Sequence, residues 1–144
     1  YVPLHEQSAH ARAVYSPVQV GLGTFLGGPA AATWFLWANY RALGQHAAAT
    51  RTVWLGLLAT VAVMLLALVL PESVPGFALS IPPVLVAHHV AESRQLTKAR
   101  IEASPEWFFQ SNWKVLGVSV LMFFCSLLPV AVIAAIAIVA GVEV

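Results

Sequence analysis

The amino-acid sequence predicts an all-α integral membrane bundle with four transmembrane helices. Three observations carry that reading. Of 144 residues, 60% are hydrophobic and only 9% are charged, against about 25% charged in an ordinary soluble domain. A soluble domain this small has too little interior to hide so much apolar surface. Four stretches, 18–40, 52–70, 74–91 and 115–142, contain no Asp, Glu, Lys or Arg. Each is close to the roughly 20 residues needed to cross about 30 Å of hydrocarbon.

The first span is rich in small residues, with Gly21, Gly23, Gly27 and Gly28 followed by Pro29. It reads as a broken helix bent at the proline. The second is a plain apolar run. The third contains Pro75, Gly76, Pro82 and Pro83 and is kinked or short. It starts either at Ser73, with Pro75 in the first turn, or at Ser80, with Pro82 and Pro83 there, where a missing N–H costs least. The full, kinked span from Ser73 is the favoured version. The fourth is long enough to tilt or project, and Pro129 kinks it. Between the third and fourth spans, 92–114 is an amphipathic polar segment in which Ser104-Pro105-Glu106 has the form of a helix start. Residues 1–17 form a polar N-terminal segment. Val53-Trp54-Leu55-Gly56 and Lys114-Val115-Leu116-Gly117 open the second and fourth spans alike, which raises a tandem repeat of two helical hairpins.

Six of the seven basic residues, Arg41, Arg51, Arg94, Lys98, Arg100 and Lys114, flank or occupy the loops at 41–51 and 92–114; Arg12 stands apart. With four spans these loops share a side, cytoplasmic by the positive-inside rule, and both termini lie outside. Trp37, Tyr40, Trp54, Trp107 and Trp113 fall near the same interface as membrane anchors. The expected location is a bacterial inner membrane.

Gly23-x-x-x-Gly27, extended by Ala31, lines one helix face and is a helix-packing interface, within this chain or toward another subunit. His88, His89 and Glu92 are a candidate ligand or metal set, since spacings of three and four put a histidine and the carboxylate on one face. A catalytic zinc asks for about three protein ligands, so a lone histidine toward haem or a chlorophyll-type pigment is the alternative cofactor reading; the main expectation is no cofactor and no metal. His5, His10 and His46 add nothing to the set. Glu72 follows Pro71 in a wet turn. No Asp occurs in the chain and no acid lies mid-span, which counts against proton-coupled transport. Thr24, Thr33, Thr60, Ser80, Ser119 and Ser126 are the neutral polar groups within the spans. Cys125 sits in an apolar run where a thiolate is disfavoured. Nothing assembles into a nucleophile with its base, so no catalytic residue is assigned and an enzyme is not expected. A net charge of +1 gives no basic face for nucleic acid.

The segments Tyr15-Ser16-Pro17-Val18-Gln19, Thr24-Phe25-Leu26-Gly27-Gly28-Pro29, Asn39-Tyr40-Arg41-Ala42-Leu43-Gly44 and Ser111-Asn112-Trp113-Lys114-Val115-Leu116-Gly117 resemble those of an uncharacterised family of small bacterial multi-span inner-membrane proteins. The resemblance implies membrane topology and a bacterial source, and brings no activity with it. The partners expected are the lipid bilayer and other membrane protein subunits. The leading functional expectation is a non-catalytic structural or accessory subunit of a larger membrane complex. A small oligomeric transporter or channel, and a haem- or pigment-binding subunit, are the alternatives.

Overall fold

The computed structural model describes residues 11–71 and 73–141. In chain order it contains β1 (Arg12–Val14), α1 (Pro17–Ala42), α2 (His46–Val69), a 3-10 turn (Gly76–Ser80), α3 (Ile81–Arg94), α4 (Lys98–Ala103), β2 (Trp107–Phe109) and α5 (Asn112–Val139). Two helices, His46–Val69 and the stretch Asn112–Val132 of α5, are long and apolar enough to cross a membrane. Neither is the hidden core helix of a soluble protein, because only 0% and 11% of their apolar windows are buried.

The first predicted span does not cross. Gly28 leaves the helix with φ 69° and ψ −163°, a conformation that only glycine adopts without strain. The chain then reverses. Tyr15 and Asn39 would lie about 36 Å apart on a straight helix, yet the Tyr15 N–H donates to Asn39 Oδ1 at 2.8 Å. The Tyr15 and Phe35 rings meet edge to face with centroids 4.8 Å apart. So α1 is a helical hairpin with arms 17–27 and 29–42, both running between one end of the bundle and a tip at Gly28. The sequence signals of glycine and proline marked the break correctly but not its angle. Pro29 starts the second arm, where its absent N–H is harmless.

This hairpin is the hub. Helices α2, α3 and α5 each pack on it. A shared core of Tyr15, Val20, Ala31, Phe35, Leu36, Ala87, Ala91 and Val115 lies around its arms. A second cluster, Val14, Leu96 and Ile101 with Leu43 and Trp107 against it, forms a cap at the open end of the hairpin. β1 and β2 close that cap as a parallel pair, Arg12 opposite Trp107 and Val14 opposite Phe109.

Three further expectations are corrected here. The β1–β2 pairing and a 2.7 Å bond from the Arg12 guanidinium to the Ala42 carbonyl put Arg12 at the same end as both basic loops, so the N-terminal segment is not on the far side from residue 12 onward. The third helix begins at Ile81 after Ser80, with its prolines in the first turn, and a 3-10 turn precedes it. Ser104-Pro105-Glu106 starts no helix; it turns the chain into β2, and Thr97 and Ser111 are the N-caps of α4 and α5 instead. The tandem hairpin repeat also has no counterpart: α1 doubles back whereas α3 does not, and Gly56 packs on Thr33 while Gly117 faces open space. His5, His10 and Glu72 lie outside the described residues.

Candidate functional site

Side-chain chemistry concentrates at the base of the hairpin. Asn39 is buried there, and its amide spans two elements. Its Nδ2 donates to the Tyr15 carbonyl at 2.8 Å and to Gln95 Oε1 at 2.9 Å. Gln95, just beyond α3, donates in turn to the Leu36 carbonyl at 2.9 Å. Leu36 and Asn39 are on the second arm, Tyr15 leads into the first, and Gln95 ends α3. A single amide pair therefore ties both arms and a neighbouring helix together, with every buried polar atom in it satisfied. Burial pushes the Tyr15 phenol above its usual value of 10.0, with a hydrogen bond from Trp34 acting in the opposite direction.

The first arm is fixed at its start by a capping box. Ser16 Oγ accepts from the Gln19 N–H and Gln19 Oε1 from the Ser16 N–H, the reciprocal arrangement that satisfies two orphan donors. Gln19 also reaches outward: its Nε2 donates to the Gln110 carbonyl at 2.7 Å and to Asn112 Oδ1 at 2.8 Å. The same residue thus starts the hairpin and anchors it to α5. Ser-Pro-x-Gln was visible in the sequence as a helix start, but its distant partners carried no local signal.

His88 is the one candidate ligand that touches the hairpin. Its Nδ1 lies 3.0 Å from the Pro17 carbonyl; a carbonyl only accepts, so Nδ1 carries a proton and Nε2 is the nitrogen left to other partners. That Nε2 is 3.8 Å from Glu92. His89 is exposed and points elsewhere. Among the described residues no group of three or more His, Cys, Asp or Glu converges as a metal site. His46 and Arg51 instead line a shallow hollow at the first turn of α2.

Gly23, Gly27 and Ala31 form an interface internal to this chain. A Cβ on Gly23 would run into the Phe35 ring, and one on Gly27 would sit 2.6 Å from the Ser119 carbonyl oxygen. Gly27 therefore lets the hairpin touch α5 backbone to backbone. Thr24, Thr33, Thr60, Ser119 and Ser126 each donate to a carbonyl three or four residues back in their own helix, so these hydroxyls are spent locally. Of the aromatic anchors, Tyr40 is buried, Trp37 lies 5.8 Å beneath the Arg41 guanidinium, and Trp54 and Trp113 are largely exposed. Trp107 lies in β2 against the cap cluster. Cys125 is exposed on α5.

No family model, curated protein or solved structure matches the chain. The site is therefore read from its own chemistry. It contains amides that brace backbone, one histidine held by a carbonyl, and no pairing of a nucleophile with a base among the described residues. Its groups hold elements in place.

Proposed function

We propose that this chain is a non-catalytic, multi-pass accessory subunit of a larger membrane protein complex in a bacterial inner membrane. The observation that carries the reading is the isolation of α2. Of its 24 residues only Ala49 is buried, so nearly the whole helix is presented to its surroundings by a hub braced for rigidity. A helix offered in this way is a surface on which partner helices pack.

The threading that fits this reading is a hairpin that enters and leaves on one face, followed by three crossings: α2, the 3-10 turn with α3, and α5. All seven Lys and Arg residues then belong to one side, cytoplasmic by their excess. Single cysteines replacing Arg12 and Arg94, in a Cys125→Ala background, should both react with an impermeant thiol reagent only from the cytoplasmic face. Reaction from opposite faces would overturn the threading.

The break at Gly28 favours a second reading, because interrupted helices line the sites of many transporters. Purification in mild detergent followed by native mass measurement separates the two. The accessory role calls for fixed partners of other sequence. A homo-oligomer alone would favour a transporter or channel, and a bare monomer would refute both. A visible absorption band lost on His88→Ala would instead favour haem or pigment at the free Nε2.

A further inference from the structure

On α2 and α5, the face that the hairpin covers continues past the hairpin's tip with nothing on it. Ala49 and Ala67 are five turns apart on α2 and share a direction; Ala49 is 1% exposed, whereas Ala67 is open. Ser119 and Val130 are three turns apart on α5 and also share a direction; exposure rises from 0% to 48%. The hairpin tip lies level with Ser119, where Gly27 meets α5. Helices α2, α3 and α5 each pack on the hairpin rather than on one another, so below the tip a hollow remains between them and opens sideways.

We propose that this hollow is a lipid site, filled by the acyl chains of a phospholipid from the leaflet opposite the basic loops. The proposal rests on the threading given above and not on the accessory role. Depth is the first argument. An 11-residue arm rises about 16 Å, about half of the roughly 30 Å hydrocarbon core, so one leaflet's depth is left unfilled. Wall chemistry is the second. Val63, Ala67 and Val130 are apolar, and Ser126 spends its hydroxyl on the Phe123 carbonyl, so water finds too few partners to be held. The third argument chooses between lipid and protein. A partner helix filling the hollow would have to end at mid-bilayer against the Gly28 turn, leaving up to four backbone groups without hydrogen bonds in hydrocarbon. An acyl chain ends at mid-bilayer by its own length and carries no such group.

The wild-type protein, reconstituted in vesicles of phosphatidylethanolamine and phosphatidylglycerol carrying a diazirine near the methyl end of one chain, tests this by photolabelling and peptide mapping. Label is expected on Val63, Ala67, Ser126 and Val130 at yields comparable to outward-facing Leu68 and Leu128. An unlabelled inner stripe beside labelled outward positions would overturn the proposal. The double variant Ala67→Phe, Val130→Phe should lose retained phospholipid in native mass measurement; an unchanged lipid count would also overturn it. A disulfide-linked dimer formed by Ser126→Cys in a Cys125→Ala background would assign the hollow to a second copy instead. Should the cysteine accessibility test fail while the inner stripe is labelled, the threading falls and the lipid site stands.

Discussion

The two halves of this bundle are built on different rules. The half that contains the hairpin base packs like a small soluble protein: a core of Tyr15, Phe35 and Leu36, a two-strand cap, and amides that satisfy one another across three elements. The half beyond the hairpin tip consists of helices that leave the hub and stay apart, with Leu57, Leu65, Leu68, Leu121, Leu128 and Val132 exposed. In hydrocarbon there is no hydrophobic gain from bringing such helices together. Cohesion therefore has to come from close packing and hydrogen bonds, and this chain spends both at one end.

The contrast makes substitutions unequal, and the largest effect is expected at Asn39. Asn39→Leu strips partners from the Tyr15 N–H, the Tyr15 carbonyl and Gln95 at once. Each buried unsatisfied group costs about 1–3 kcal/mol, so a loss of at least about 3 kcal/mol is expected in reversible unfolding from detergent. Little change there would mean that the amide network does not hold the hairpin. Next comes Gly27→Leu, which drives a side chain into the Ser119 backbone and should cost about 3 kcal/mol, at the upper end for overpacking. Its control is Gly117→Leu, which meets open space and should stay within about 0.5 kcal/mol. Gly28→Ala isolates backbone strain, because a Cβ there also meets nothing; the cost should be about 1–3 kcal/mol. Val130→Ala, beyond the tip, should be close to neutral in the same assay, and a loss equal to that of Gly27→Leu would erase the distinction between the halves.

The smallest effect concerns pH. The phenol of Tyr15 has its folded value raised above the 10.0 of the unfolded chain, chiefly by burial. The unfolded state then releases its proton first, so stability is level below pH 10 and falls as pH rises beyond it. Tyr15→Phe should remove that slope while leaving the neutral-pH melting temperature nearly unchanged. A slope that persists in the variant would assign it to another group.

How much of this was legible in the residues follows from range. Membrane character rested on composition and on charge-free runs, and both long helices emerged within a few residues of their expected bounds. The break at Gly28-Pro29 was legible because proline and glycine act locally. Its reversal was not, since a kink and a hairpin differ only in a torsion at Gly28 and in what Gly23 meets. The side on which Arg12 lies was misread for a related reason: counting crossings multiplies one wrong span into a wrong end. At the base, Gln19 and Asn39 looked like ordinary polar residues at helix termini. Their worth comes from partners at Gln110, Asn112 and Gln95, and apolar periodicity says nothing about pairings that distant. The glycine stripe was recognised as a packing face, and its internal use depended on the same reversal.

The separation between Gln19 and Gln110, 91 residues along the chain, has a consequence for biogenesis. Elements made close together in sequence find one another early, whereas remote pairings wait for the intervening chain. On a ribosome releasing about 5–20 residues per second, the glutamine leaves several seconds before its acceptor carbonyl exists. The earliest helical segment to emerge is thus the latest to be secured. Until α5 arrives, the hairpin's anchor to it is missing and the amide of Gln19 is left to water or to a chaperone.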